Sequence, residues 1–177
     1  MSLARHVTEA RQTRRWLTFC HTVELVALTV WVGGLVVIIG AVIPAVFNSF
    51  GMEPGGRFLT RVFDGYNRLT GGAVALLVGT SAWRVWNGAQ GNPEGALSKP
   101  ELTLLSAMIV IAFLITLVLG PWSVSLQEQA FAAQGDAKKM AYDSFFRVHT
   151  VVRGLYVLNL GLGIGLVAVK VRDWMNR

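Results

Sequence analysis

The stretch HTVELVALTVWVGGLVVIIGAVIP, residues 21–44, decides the fold class of this chain. It exceeds the roughly 20 apolar residues that a helix needs to cross a hydrocarbon core of about 30 Å. Glu24 is the only acidic or basic residue in it besides His21. The run is also longer than the ~7–15 apolar residues of a typical secretory signal, so we expect it to remain in the protein as a membrane-spanning helix.

The composition of the whole chain supports the same class. Among the 177 residues, 53% are hydrophobic and only 15% are charged, which is typical of an integral membrane protein rather than a soluble domain. The formal charge is +6, but the Lys and Arg residues lie between and outside the apolar runs. We therefore expect anionic lipid, and no nucleic acid, as the partner of these charges. Cys20 is the single cysteine, which excludes an internal disulfide and any multi-cysteine metal site.

Three further apolar runs follow, each close to the length of a membrane span. We predict an all-α fold with one domain over residues 1–177, an up-down-up-down four-helix bundle in the membrane. The predicted spans are residues 17–44, 63–86, 101–123 and 145–170. The loops between them contain Gly, Pro and Asn, including a predicted turn over residues 87–100.

Basic residues outnumber acidic ones at both ends of the chain. These basic residues are Arg5, Arg11, Arg14 and Arg15 before the first span, and Lys170, Arg172 and Arg177 at the end of the last. By the positive-inside rule, we expect both termini in the cytoplasm, which an even number of spans allows. The arginine-rich start and the richness in Gly and Ala fit the inner membrane of a bacterium.

Small residues recur at helical spacing in the predicted spans and predict close helix packing. In lipid, where the hydrophobic drive between helices is absent, such stripes let backbones approach each other. The contacts are either within the chain or with a second copy or another membrane subunit. The small residues that we expect at helix contacts are Ala27, Gly33, Gly34, Ala41, Gly72, Gly79, Gly154, Gly161 and Gly165.

Polar residues form two groups, one near each side of the predicted bundle. Near the predicted cytoplasmic side, His21 and Glu24 lie three residues apart on one helical face, and we expect Glu24 to pair with Arg84. The group towards the opposite side consists of Asp64, Asn67, Arg68, Arg147, His149 and Arg153, with Asn159 deeper in the last span. Such groups either fix helix order through salt bridges and hydrogen bonds or form a polar pocket for a proton, metal ion, haem edge or lipid headgroup.

His21 and His149 are the candidate cofactor ligands, because bis-histidine haem sites occur in small helical bundles. The first and last helices run antiparallel in the predicted bundle, so the two histidines are separated along its axis by roughly 20–25 Å. We therefore expect that one iron cannot bind both. The sequence requires no cofactor, and haem or copper stays open. It contains no HExxH, CxxC, phosphate-loop or nucleophile-elbow motif, which favours a non-enzymatic protein.

The chain resembles a family of uncharacterised four-span proteins that includes the eukaryotic transmembrane protein 205 and is distantly similar to the membrane domain of copper-resistance D proteins. The residues that carry the resemblance are His21, Trp31, Val32, Gly33, Gly34 and Pro44, then Pro121, Phe145, Phe146, Arg147 and His149. The family's last span reads His-x-x-Ser-x-x-x-Asn, whereas Val152 and Tyr156 occupy the last two of these places here. The resemblance implies a membrane protein for which heavy-metal handling is a theme.

These observations leave three functions open. The first is a non-enzymatic accessory or scaffold subunit of a membrane assembly, or a protein of metal or stress handling. The second is a haem- or pigment-binding redox protein. The third is a metal-ion or small-solute transporter, for which helices broken at mid-membrane are expected. Only the Gly33-Gly34 pair and Asn159 are candidates for such a break.

Overall fold

A computed structural model describes residues 2–89 and 97–175 of the chain. Arg177 and residues 90–96 of the predicted loop lie outside the described part, as do the side chains of Arg5, Arg11 and Arg14. The helices are α1 Ser2–Leu28, α2 Gly34–Val37, α3 Ile43–Phe50, α4 Met52–Ala89, α5 Lys99–Leu114, α6 Gly120–Ala132 and α7 Asp136–Met175. No strand occurs among the described residues, and the predicted all-α fold is confirmed.

Three π-helical turns connect several of these helices without interrupting them. Thr29–Gly33 and Ile38–Val42 join α1, α2 and α3, and Ile115–Leu119 joins α5 to α6. The residues that flank each turn keep right-handed helical backbone angles. The described chain is therefore built from four long helical rods, at residues 2–50, 52–89, 99–132 and 136–175.

Two of the three π-helical turns end just before a proline. One residue separates Ile38–Val42 from Pro44, and one residue separates Ile115–Leu119 from Pro121. Proline has no backbone N–H to donate to the carbonyl four residues earlier, and a π turn accommodates such a local change of hydrogen bonding. A Cβ on Gly120 would lie 2.8 Å from the carbonyl oxygen of Ile115, so the second of these turns needs glycine at this position.

Three of the rods are long and apolar enough to cross a membrane: Arg15–Phe50, Lys99–Ala132 and Asp136–Met175. They indicate a membrane protein. The predicted second span, 63–86, lies within α4, which has 38 residues but does not belong to this apolar set. Its Gly, Thr and Ser residues and Arg84 dilute the apolar residues, although its length exceeds that of a span.

The core contains one inward-facing row of side chains from each rod. Its central members include Trp31, Leu77, Met108 and Leu166, each no more than 2% exposed. The hydroxyl of Tyr66 on α4 donates a hydrogen bond to the carbonyl oxygen of Trp31, at 2.7 Å. This bond joins the second rod to a π-helical turn of the first, about midway along both.

The structure uses only some of the predicted small residues within the chain. A Cβ on Gly34 would lie 3.1 Å from the ring of Tyr66, and Ala27 is buried in the core. Gly33 and Gly165 have neighbours only at ordinary contact distance, 4.0 and 3.9 Å. The exposed residues Ala41, Gly72, Gly79, Gly154 and Gly161 lie on helix faces that point away from the core, so their contacts with a second copy or another membrane subunit stay a prediction.

Among the described glycines, Gly163 has the closest approach of other helices, although it is not among the small residues predicted at helix contacts. A Cβ there would lie 2.5 Å from Cγ2 of Val32 and 3.2 Å from Cε of Met108. Three rods meet at this point, because Val32 belongs to the first, Met108 to the third and Gly163 to the fourth. Hydrogen alone fits as the side chain between them.

Candidate functional site

Four charged side chains from four different rods meet at one end of the structure. They are Glu24 of α1, Arg84 of α4, Glu101 of α5 and Lys170 of α7, and their exposed fractions are 0, 1, 3 and 4%. We call these four residues the ionic cluster. It is the largest set of buried charges in the described part of the chain.

The ionic cluster is a closed ring of ion pairs. Nη1 of Arg84 donates to Oε2 of Glu24 at 2.9 Å and to Oε1 of Glu101 at 2.8 Å. Lys170 Nζ lies 2.6 Å from Glu24 Oε2 and also donates to Oε1 of Glu101. Each base therefore contacts both acids, and each acid contacts both bases. The sequence prediction that Glu24 and Arg84 are partners is one of these contacts.

Helical periodicity explains why the four residues point inward. On α4, Arg84 continues a row of buried side chains at three- and four-residue spacing, which also contains Ala73, Leu77 and Ser81. The corresponding buried rows on the other rods are Cys20, Glu24, Ala27, Leu28 and Trp31; Glu101, Leu105 and Met108; and Asn159, Gly163, Leu166 and Lys170. Arg84, Glu101 and Lys170 each occupy the position in their row that is nearest the same end of the structure, and in the first rod only Cys20 of the row lies nearer that end than Glu24.

The start of α5 fixes where Glu101 enters the ionic cluster. Ser98 has extended backbone angles, and its hydroxyl oxygen accepts a hydrogen bond from the backbone N–H of Glu101 at 3.4 Å. Ser-x-x-Glu is the sequence of a capping box, and Pro100 is favourable in the first helical turn. Here the Glu101 carboxylate turns to Arg84 and Lys170 instead of the cap.

Two carboxylates and two cations make the ionic cluster electrically neutral when all four groups are charged. Removing single charges from water into an apolar interior costs several kcal/mol per ion, and mutual pairing with good geometry offsets that cost. Each carboxylate accepts bonds from two cationic donors, a charge-assisted type of hydrogen bond that is stronger than a neutral one. The arrangement can hold four helices at a fixed rotation and height, because each side chain has its partners on other helices.

His21 lies beside the ionic cluster, one helical turn before Glu24. Its Nδ1 is 3.5 Å from Oε2 of Glu24, and its ring packs edge to face against Trp174 with 5.5 Å between the ring centres. Nδ1 is inaccessible to solvent and has no hydrogen-bond partner within residues 2–89 and 97–175. The side chain as a whole is 17% exposed, so the ring connects the buried cluster with the outside of the bundle.

The second predicted polar group, towards the other end of the rods, is not a cluster. Its four charged members, Asp64, Arg68, Arg147 and Arg153, are exposed. Asn67 accepts a hydrogen bond from the hydroxyl of Tyr156 at 3.2 Å. His149 is partly buried, and its ring stacks on Phe145 with 5.0 Å between the ring centres. The structure therefore does not gather these residues into one pocket.

Asn159, which the sequence places deeper in the last span than this second group, is buried. It is 3% exposed, and its Oδ1 has no hydrogen-bond partner among the described residues. The helix α7 continues through it without a break, and Gly33-Gly34 lies at a π-helical turn rather than at an interruption. Neither candidate position therefore breaks its helix.

The positions of His21 and His149 do not suit a shared iron. His21 lies one turn from Glu24, which contacts Lys170, and α7 rises about 30 Å between His149 and Lys170. The two imidazoles therefore lie at clearly different heights along the helices. Within the described residues, no group of three or more His, Cys, Asp or Glu side chains is placed to hold a metal ion.

Glu101 and Lys170 are the members of the ionic cluster that the sequence interpretation missed. Lys170 was assigned to the basic C-terminal end, and Glu101 to the start of a span without a role. The signal that could have found them is their spacing from the apolar inner rows, since Glu101 precedes Leu105 by four residues and Lys170 follows Leu166 by four.

Comparison with known proteins identifies one family. The family model described as domain of unknown function DUF4149 matches residues 26–132. The matched segment contains Arg84 and Glu101 of the ionic cluster, while Glu24 and Lys170 lie outside it. No curated protein and no solved structure matches the chain.

Proposed function

The chain belongs to the DUF4149 family, whose function is unknown, and from the geometry of this member we propose a non-enzymatic integral membrane protein. It acts as an accessory or scaffold subunit of a membrane assembly, or as a protein of metal or stress handling. The observation that carries the proposal is the ionic cluster, because its charges are used to join four helices to one another.

The proposal includes a fourth membrane span within α4. This helix runs antiparallel to the first rod, with contacts from Gly55 beside Val46 to Arg84 beside Glu24. These contacts are about 43 Å apart along α4 and about 33 Å apart along the first rod, and the shorter of the two lengths still exceeds the ~30 Å of a hydrocarbon core. A helix that accompanies a spanning helix over this length crosses the membrane with it, and Arg84 is tolerated because its charge is paired inside the bundle.

We further propose that the ionic cluster lies at the cytoplasmic side of a bacterial inner membrane, with both termini in the cytoplasm. Trp86 and Trp174 lie within about one helical turn of Arg84 and Lys170, and both are exposed. Exposed tryptophans are enriched at membrane interfaces, and basic residues on the cytoplasmic side. The ionic cluster would then lie just inside the hydrocarbon boundary, where isolated charges are already costly.

A scaffold subunit also needs a surface for its partners, and α4 offers small residues on its outer side. Gly72 and Gly79 are exposed, and no described atom outside their own helix lies within 4 Å of a Cβ at either position. A partner helix can approach such a surface closely. The likeness to transmembrane protein 205 and to the copper-resistance D membrane domain, and with it the metal theme, stays a prediction.

The test is native purification in mild detergent, followed by mass spectrometry of the co-purifying proteins and an absorption spectrum. We expect a stoichiometric membrane partner with the wild-type chain. Gly72→Leu together with Gly79→Leu should reduce its recovery at least fivefold, because the added side chains occupy the outer side of α4. Gly71→Leu is the control, since Gly71 is also exposed on the same helix, with no described atom of another helix within 4 Å of a Cβ there, but lies about 100° away from Gly72.

Other outcomes would contradict the proposal. A lone protein that carries a haem or pigment band, lost on His149→Ala or His21→Ala, would favour the redox alternative. Stoichiometric metal in the lone protein would favour metal transport. No observation among the described residues favours either of these alternatives at present.

A further inference from the structure

His21 adds a titratable group to an ionic cluster that is otherwise complete. Imidazole changes its charge between about pH 5 and 8, where carboxylates, Lys and Arg normally keep theirs. The side chain is partly exposed at the end of the bundle, so protons from water can reach it. Its Nδ1 faces Oε2 of Glu24 and no other described polar atom within hydrogen-bond distance.

The charged and titratable groups around His21 come from all four rods. Glu24 is nearest, and its carboxylate is held by Lys170 of α7 and Arg84 of α4, with Glu101 of α5 beyond them. Along the two closest helices, Cys20 on α1 and Arg172 and Asp173 on α7 are close to His21 or Lys170 in sequence, and the last two form an ion pair at 3.2 Å. The charge that faces Nδ1 is thus negative, and two positive groups hold that same carboxylate.

Glu24 Oε2 is the atom on which the inference depends. It already accepts from Arg84 at 2.9 Å and from Lys170 at 2.6 Å. A carboxylate oxygen has about two lone-pair positions, so two donors fill it. An N–H at Nδ1 of a protonated His21, now 3.5 Å from this oxygen, therefore competes with the two donors for it.

The two donors are not held equally well. Arg84 also contacts Oε1 of Glu24 at 3.2 Å and both carboxylate oxygens of Glu101, so it keeps its place without Oε2. Lys170 has Oε1 of Glu101 as its other acceptor. If Lys170 loses its bond to Oε2, it is no longer bound to α1 but keeps its bond to Glu101 of α5.

We propose that His21 is a proton-operated latch between α1 and α7. We assign the hydrogen of the neutral imidazole to Nε2, so uptake of one proton from water adds an N–H at Nδ1, which bonds to Glu24 Oε2 and displaces Lys170 to Glu101. The net charge of the ionic cluster with His21 changes from zero to +1. No covalent bond other than the new N–H forms or breaks. At acid pH the end of α7 separates from α1, and at alkaline pH Lys170 closes the contact again.

The experiment measures the separation of the two helix ends by pulsed electron resonance between nitroxide labels. In a Cys20→Ser background, labels are placed at the exposed positions Phe19 on α1 and Val171 on α7, and the protein is compared in nanodiscs at pH 8 and pH 5. We expect the distance to increase by roughly 1–2 Å or more at pH 5, the size of helix shifts in switching proteins.

Two variants separate the latch from a general effect of acid. His21→Phe keeps an aromatic ring against Trp174 but does not titrate, and it should show the same distance at both pH values. His149→Phe is the matched control, since His149 is the other described, partly buried histidine and stacks on Phe145 far from the cluster; it should keep the wild-type response. A pH-independent wild-type distance, or an unchanged response in His21→Phe, would overturn the proposal whether or not the chain has a scaffold role.

Discussion

The two ends of this helical structure carry similar numbers of polar residues but use them in opposite ways. At one end, Glu24, Arg84, Glu101 and Lys170 are buried and paired with each other across four helices. At the other, the charged residues of the predicted polar group are exposed. Their sequence environments are alike, since each lies near the end of a predicted span. The rotation of each helix decides whether such a residue joins the bundle or faces its surroundings.

This difference has a consequence for energetics. A charge in contact with water or headgroups loses little interaction free energy when its partner is removed, because solvent replaces the partner. A charge in the ionic cluster has no such replacement, so removal of one partner leaves another charge buried and unpaired. The same substitution should therefore have very different effects at the two ends.

The largest contrast is expected between Arg84→Met and Arg147→Met. Methionine keeps much of the shape of the arginine stem and removes the charge. Arg84→Met leaves two carboxylates against Lys170 and should lower the free energy of unfolding by about 3–5 kcal/mol. Arg147 is exposed, so its substitution should change the free energy of unfolding by less than about 0.5 kcal/mol. Unfolding of the reconstituted protein in mixed micelles measures both. Equal losses at the two positions would remove the distinction between the two ends.

Pairwise coupling sharpens the same comparison. In a double-mutant cycle of Glu24→Gln and Lys170→Met, the double variant keeps a neutral cluster, with Arg84 facing Glu101. The double variant should lose about 1–3 kcal/mol less free energy of unfolding than the two single variants lose together. The control cycle uses Glu53 and Arg57, an exposed pair at 3.5 Å near the opposite end, with an expected coupling below about 0.5 kcal/mol. Additive effects at Glu24 and Lys170 would show that the buried contact contributes no pairwise energy.

Glycines extend the comparison to uncharged residues. Gly163→Ala places a methyl group 2.5 Å from Val32 Cγ2 between three rods, and overpacking of this kind should cost about 1–3 kcal/mol. Gly79→Ala meets no described atom within 4 Å beyond its own helix and should not lower the stability of the isolated chain. The same unfolding measurement applies. Destabilisation by Gly79→Ala in the purified monomer would mean that this face of α4 packs within the chain after all.

The smallest expected effect concerns the hydrogen bond from Tyr156 to Asn67, towards the exposed end. Tyr156→Phe should cost about 0.5–1 kcal/mol, because the bond is partly buried and leaves one amide oxygen without its donor. Tyr142→Phe is the control, since its hydroxyl makes no hydrogen bond to a described residue, and it should have no measurable effect. A loss above about 2 kcal/mol for Tyr156→Phe would reveal a polar core at this end as well.

Much of the fold follows from the sequence alone, and the positions of single residues follow in part. The four predicted spans lie within the four rods, because length and apolar content are local properties of each segment. The π-helical turns before Pro44 and Pro121 were not predicted, although the prolines supply their chemical cause. The prediction for Gly34 matches its close contact with Tyr66, whereas Gly72 and Gly161 face outward. Small residues recur at helical spacing on the inner and the outer face of a helix alike, so the spacing does not tell which face points into the core.

The sequence by itself determined that this chain is helical, apolar enough for a membrane, and marked by charges near the span ends. Only the tertiary structure decided that Glu101 and Lys170 join Glu24 and Arg84, while Arg147 and Arg153 stay outside. The physical reason is that the two kinds of property depend on residues at different distances along the chain. Hydropathy and helical period are set by neighbours along the chain, but an ion pair forms only where the rotation and height of separate helices bring two side chains within a few ångströms of each other.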